Sequence, residues 1–370
     1  MKNKYLFILG RNVDLSIAEL KSFFERERIN FKILSKVHNG ILTEIDGTIP
    51  AGIVERLGGT ISIGKVLAEG EFNQICKQLE KQELYKGTSN KLNYVVFDFH
   101  GKSFVEFLQY LKDRFREEKL KATEKKLTGR IKLQSGEIVS NLSSNLIHEQ
   151  YFIFENTFGS IIESCDYDKI EKRDMTKPIR RESLSISPRL AKILINLSKV
   201  KENETLLDPF CGIGVILQEA LLQNIKVIGI DVDANAIEGA KSNLEWFKFQ
   251  KKDYQLINDD SSKVNIPLVH GIAAEPDLGE LQKSMPTPDK AQKMLAGFEK
   301  LMIVVLKNLK NKVHGRIAFT CPLIKTNQKK IECNFQKIAS SVGLKIVKGF
   351  PIDEFREDSI VGRSIIVLEK

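Results

Sequence analysis

The residues of this chain that can do chemistry are acids at the ends of apolar runs. In "TLLDPFCGIGVILQEALLQNIKVIGIDVDANAIEGAKSNL", Asp208 closes a buried run, Gly212 and Gly214 lie in the turn after it, a helical pattern follows, and Asp231 sits at the tip of the next run. Glycines let backbone approach a ligand closely. An acid about 20 residues beyond such a loop lies where a carboxylate meets ribose hydroxyls. The expectation is a nucleotide-type pocket at the carboxyl edge of a parallel sheet. A dinucleotide would need G-x-G-x-x-G, with its pyrophosphate on the helix N-terminus. Here the loop is D-P-F-C-G-I-G, and Asp208 would repel a pyrophosphate but suit a cationic amino group. That points to S-adenosylmethionine as cofactor. A third strand ends at Asp259 and Asp260. Either can accept from an adenine amino group, and one of them can instead cap the next turn.

These acids must be held by a sizeable scaffold. At 370 residues with 42% apolar content, the chain has room for two or three domains. No apolar run reaches the roughly 18 residues of a membrane span, so no membrane association is expected. "MKNKYLFILGRNVDLS" reads as a buried first strand rather than a signal peptide. The five cysteines form no CxxC pair and the five histidines are dispersed. This argues against a metal site or disulfide framework and for a reducing cytoplasm. Lys and Arg exceed Asp and Glu by 57 to 48. That balance suits a polyanionic partner, or simply a basic protein.

Three regions differ in pattern. Residues 1–70 read as strand–helix–strand units, with Asp14 or Ser16 capping the first helix. Residues 71–165 repeat strand and helix around a basic run, "LKATEKKLTGRIKLQ", which reads as a solvated face or as a track for a phosphate backbone. Residues 166–185 read as a charged linker, "DYDKIEKRDMTKPIRR", without apolar periodicity. Over 186–370 strand and helix alternate, starting from a helix capped by Ser187 with Pro188 at its first position. The fold class expected is α/β: a Rossmann-like domain preceded by smaller α+β domains.

"DPFCGIGVILQEALL", "GIDVDANAIEGAKSNL" and "KRDMTKPIRRESLSISPRLAKILINLS", together with the N-terminal "YLFILGRNVDLSIAEL", resemble the THUMP-containing tRNA guanine-N2-methyltransferases, the archaeal and eukaryotic enzymes that modify guanosine 10. The resemblance covers nearly the whole chain. It implies a ferredoxin-like domain over 1–70, a THUMP-like RNA-binding domain over 71–165, and a class I methyltransferase domain over 186–370. It implies S-adenosylmethionine-dependent methylation of a tRNA guanosine at its exocyclic N2 amine. Lys177, Arg180 and Arg181, which lead into the third domain, are expected to face the tRNA backbone, or else to be a solvated linker. A monomer is expected. Eukaryotic relatives work with a small zinc-binding partner, and the sequence does not say whether this chain needs one.

Amino methyltransferases of this kind carry Asp-Pro-Pro-Tyr after the fourth strand; this chain has Glu275-Pro276-Asp277-Leu278-Gly279. The chemistry needs an acceptor there. A carboxylate and a backbone carbonyl take the two N–H bonds of a base amine and free its lone pair, while an aromatic ring stacks on the flipped base. The resemblance puts Glu275 and Pro276 in those accepting roles. Leu278 stands where the aromatic would be, and Asp277 adds charge that a cation must answer. Readings left open are a non-catalytic cofactor- and RNA-binding relative and an amino methyltransferase of ribosomal RNA or DNA. "ELQKSMPTPDKAQK" reads as a substrate lid, and Cys321, before Pro322, as a buried structural cysteine rather than a nucleophile.

Overall fold

The computed structural model describes residues 2–126, 130–140, 146–180, 186–279, 284–356 and 359–370. The chain divides into two compact units, Met1–Ser16 with Arg28–Asp166, and Ile17–Glu27 with Tyr167–Lys370. No helix among the described residues is long and apolar enough to cross a membrane.

The first stretch contains β1 (Lys2–Leu9), α1 (Val13–Arg26), β2 (Phe31–Val37), β3 (Gly40–Asp46), α2 (Ile53–Arg56), β4 (Thr60–Glu69), α3 (Phe72–Leu79), β5 (Lys91–Phe99), α4 (Phe104–Glu117), β6 (Lys121–Glu124), β7 (Arg130–Lys132), β8 (Ile138–Ser140), β9 (Glu149–Phe154) and β10 (Thr157–Ser164). Eight strands form one sheet in the order β2-β3-β1-β4-β10-β9-β5-β6. Tyr5 to Leu9 are buried without alternation, as expected of a central strand covered on both faces. β4 pairs with β1 on one side and β10 on the other. The sheet therefore runs unbroken across the boundary expected at residue 70. Leu79, Leu111, Phe115, Tyr151 and Phe158 pack α3 and α4 into one apolar cluster with the sheet. The first helix starts earlier than Asp14 or Ser16 would set it. Asn12 Oδ1 accepts from the Leu15 N–H at 3.2 Å, and Ser16 Oγ donates back to the Asn12 carbonyl at 2.7 Å. Of the basic run, Lys121 is exposed on the edge strand β6, followed by exposed Lys125 and Lys126. A charged edge of this kind discourages further strand pairing.

The second unit holds α5 (Tyr167–Thr176), α6 (Pro188–Ser198), β11 (Thr205–Asp208), α7 (Val215–Leu221), β12 (Lys226–Asp231), α8 (Ala234–Trp246), β13 (Tyr254–Asn258), β14 (Gly271–Ala274), α9 (Pro288–Leu309), β15 (Ile317–Lys325), β16 (Lys330–Ile331), α10 (Phe335–Val342), β17 (Lys345–Ile346), β18 (Ile352–Glu354) and β19 (Val361–Glu369). The sheet order is β13-β12-β11-β14-β15-β19-β17. The first five strands are parallel, and β19 runs antiparallel to β15 and β17. Leu295, Met302 and Leu306 of α9 and Ile338 of α10 join Leu207, Ile272 and Phe319 in the core of one face. α6 packs on β14 and β15, and α7 on β12. Ser187 caps α6 as read, accepting from Leu190 N–H at 3.2 Å, with Pro188 at the first position.

Within the region read as a linker, Tyr167–Thr176 form a docked helix. Arg173 of α5 donates to the buried Glu219 of α7 at 2.5 Å. Beyond α5 the chain is clamped by the fully buried Asn243 of α8. Its amide accepts from Ile179 N–H (3.0 Å) and donates to the carbonyls of Ile179 (3.1 Å) and Ile213 (3.0 Å). One side chain thus ties the incoming segment to the glycine loop. Asn243→Ala removes the side-chain partner of three backbone groups, of which the Ile213 carbonyl keeps a 3.4 Å bond from Gln218 Nε2, and we expect a loss of about 2–4 kcal/mol in the stability of this unit, read by chemical denaturation.

Candidate active site

Strands β11 and β14 are hydrogen-bonded neighbours, but the chain leaves β11 for α7 and β14 for α9, on opposite faces of the sheet. This is a topological switch point, and ligands of open α/β sheets bind in the crevice it opens at the carboxyl ends. Asp208 ends β11, and Glu275 follows β14 directly.

On the β11 side, Asp208 is 1% exposed. Burial pushes its carboxyl well above the usual range, against the Phe210 N–H that donates to it at 3.1 Å, and the Asp231 and Glu275 carboxylates push it further. Asp231 Oδ2 accepts from Gly212 N–H (2.8 Å) and Oδ1 from Asp233 N–H (2.9 Å), so this acid also shapes the loop. Gly212 has φ +51° and open space where a Cβ would stand; Gly214 has φ +84° and stands at the N-cap of α7. An open backbone cradle between a buried acid and a half-buried one fits a ligand with a cationic end and a ribose. It fits a pyrophosphate poorly.

The third strand's acids part company. Asp260 caps the next turn through Ser262 N–H at 2.9 Å, which holds its carboxyl below the usual value. Asp259 is exposed and accepts from the Asp260 N–H at 2.7 Å. Three polar residues that sequence reading missed knit these loops together. Asn258 donates to the carbonyls of Asp231 and Val232, Ser261 to Pro209 (2.6 Å), and Asn308 to Ser261 and Val264. Asn258 and Ser261 flank the acid pair at the strand end, which was the available signal.

On the β14 side, the Glu275 side chain is 9% exposed and Pro276 is buried. Burial raises the Glu275 pKa, while Arg363, whose Nε donates to Oε1, opposes that rise. Arg363 lies on β19, and no motif pointed to it. Asp277 is exposed and accepts from Gly279 N–H at 2.9 Å in a local turn, and Leu278 is half-buried.

Of the cations expected at the RNA, Lys177 is 5% exposed and its ammonium sits 2.6 Å from Asp174. That burial differs from the backbone-facing role, because the short loop after α5 folds Lys177 back onto its own helix. Arg180 is exposed; Arg181 lies outside the described residues, as do residues 280–283 of the expected lid. Cys321 is fully buried beside Cys333, and burial pushes its thiol up. Among the described residues no group of three or more His, Cys, Asp or Glu could hold a metal.

Burial raises the Asp208 pKa, so a cationic amino group placed beside it would favour the ionised carboxylate. S-adenosylmethionine binding should then release protons below the raised Asp208 pKa, and affinity should rise with pH through that range. Calorimetry in buffers of different ionisation enthalpy would show the release, and Asp208→Asn should abolish it along with most of the affinity.

A family model described as "RMKL-like, methyltransferase domain" matches residues 178–267, ending short of Glu275. The tRNA (guanine(10)-N2)-dimethyltransferase of Pyrococcus abyssi is 25% identical over 365 residues, covering 94% of both chains. That of Methanocaldococcus jannaschii is 31% identical over 209 residues, 53% of this chain and 58% of the relative, so the aligned stretch spans little more than half of that protein. The crystal structure of TrmN from Thermus thermophilus superposes with a TM-score of 0.52 over 99% of both chains at 14% identity, a likeness of fold alone. The strand order, the loop between Asp208 and Asp231 and the match over 178–267 identify a class I methyltransferase domain that uses S-adenosylmethionine, in a chain similar to the tRNA (guanine(10)-N2)-dimethyltransferases.

Proposed function

We propose that this protein methylates the exocyclic N2 amine of a tRNA guanosine, with position 10, named for its relatives, as the target. The observation that carries the reading is the nearly buried Glu275 carboxylate at the carboxyl end of β14, across the switch crevice from Asp208. The cofactor, when bound, supplies a methyl group on a sulfonium. Asp208 holds its amino group, Asp231 its ribose, and Asp259 its adenine amine, while Gly212 and Gly214 keep the loop out of its way. Glu275 accepts one N–H of the base amine and the Pro276 carbonyl the other. The amine nitrogen then turns its lone pair out of conjugation and toward the methyl group, and its proton leaves after transfer. Glu275 orients and is not a strong base. Leu278 packs on the flipped base in place of an aromatic stack worth about 1–3 kcal/mol. Exposed Arg180 meets tRNA phosphates, and the cytoplasm, where tRNA is modified, is the site of action.

A second reading, cofactor binding without catalysis, is favoured by one feature: Arg363 already occupies part of the Glu275 carboxylate. Single-turnover methyl transfer to unmodified tRNA separates the two. We expect rates in the order wild type, Glu275→Gln, Glu275→Ala, with the Ala loss on the order of 10²–10³ and cofactor affinity unchanged. Because burial raises the Glu275 pKa against the pull of Arg363, with Asp208 the other acid near it, the wild-type rate should fall on acidification with a midpoint above the ordinary carboxylate range. Equal rates in all three proteins would remove Glu275 from catalysis, and no activity in any would support the second reading.

A further inference from the structure

Arg363 reaches Glu275 across 88 residues of sequence because β19 sets it opposite Pro322 of β15, at the carboxyl end of the central strands. Its Nε–H is spent on Glu275 Oε1. Its side chain is 30% exposed against 9% for Glu275, and no other described residue bonds its guanidinium. A guanidinium carries five N–H donors in a fixed fork, and each carboxylate oxygen has two lone pairs. The pair therefore still presents, side by side, a donor edge from Arg363 and two acceptors from Glu275.

That pattern has one complement among the bases. The Watson–Crick edge of guanine runs acceptor, donor, donor through O6, N1–H and N2–H. Adenine sets a ring lone pair at N1 beside its amine, and cytosine does the same at N3, so each would meet the carboxylate with like charge. Donor–acceptor–acceptor is what cytosine itself shows to guanine. We propose that Arg363 and Glu275 together read the Watson–Crick edge of the flipped base, Arg363 donating to O6 while Glu275 accepts from N1–H and N2–H. The inference rests on the guanosine methylation proposed above and makes Arg363 the residue that selects guanine. It also gives a use to the glutamate found where relatives have aspartate: the longer side chain spans Arg363 on one side and two base donors on the other. An enzyme reads a flipped base by its Watson–Crick edge in this way.

The test is single-turnover methyl transfer by wild type, Arg363→Met and Arg363→Lys to two tRNAs, one with guanosine and one with 2-aminopurine at the methylated position. 2-Aminopurine keeps the C2 amine but lacks O6 and N1–H. Wild type should lose about 10- to 100-fold on 2-aminopurine, the discrimination that one well-placed pair supplies. Arg363→Met should lose a similar factor on guanosine and show a smaller 2-aminopurine penalty, since its O6 donor is already gone. The two losses are then less than multiplicative. Arg363→Lys, which keeps a charge and donors, should recover part of the guanosine rate, and cofactor affinity should hold in both variants. An identical 2-aminopurine penalty in wild type and Arg363→Met overturns the base-reading role; if Arg363→Met no longer binds cofactor, the same comparison with Arg363→Lys decides. A wild type inactive on the guanosine tRNA overturns the methylation reading itself, and this inference with it.

Discussion

Strands β11 and β14 lie side by side while the chain departs from them to opposite faces of the sheet, and that one constraint organises the second unit. Helices cannot cover both strand ends at once, so a gap opens where Asp208 and Glu275 emerge. The loops around it are then fixed by short side chains. Asp231 holds Gly212, Ser261 holds the Pro209 carbonyl, and Asn258 holds the end of β12. Each bond joins the ends of two different strands, so the crevice is rigid without a helix across its mouth.

Gathering acids in such a place is electrostatically costly. Asp208 is desolvated and faces Asp231 and Glu275, and burial above all, with those two carboxylates, raises its pKa. The arrangement makes sense only with cations in the crevice. Among the described residues, Arg363 is the cation paired with Glu275. A sulfonium cofactor with a free amino group would supply the rest, and the glycine cradle leaves space for it. A charged cluster that waits for its counter-charge is preorganised for the bound state rather than for the free one.

The incoming segment shows the same economy. Charged throughout and without apolar periodicity, it gives no reason to expect order, yet Arg173 docks α5 on Glu219 and Asn243 pins the chain after it to the Ile213 carbonyl of the glycine loop. Lys177 is drawn inward by Asp174 in the process. In the first unit, β4 bonds β10 from far along the sequence, so segments with separate local patterns share one sheet.

The sequence by itself determined what is local. The apolar runs of β11 and β12, the glycines between them, the acids at their tips, and the Ser187–Pro188 helix start are consequences of neighbouring residues, and they stand where periodicity and capping put them. So is the turn role of one of the paired aspartates, which fell to Asp260 because Ser262 follows it. Tertiary structure alone decided which distant residues meet. Strand pairing brought Arg363 to Glu275, helix packing brought Asn243 to Ile179 and Arg173 to Glu219, and none of these pairs has a spacing or motif to betray it. The physical reason is that a hydrogen bond between residues far apart in the chain is specified by the register of whole strands and helices, and that register is settled by the burial of many apolar side chains at once.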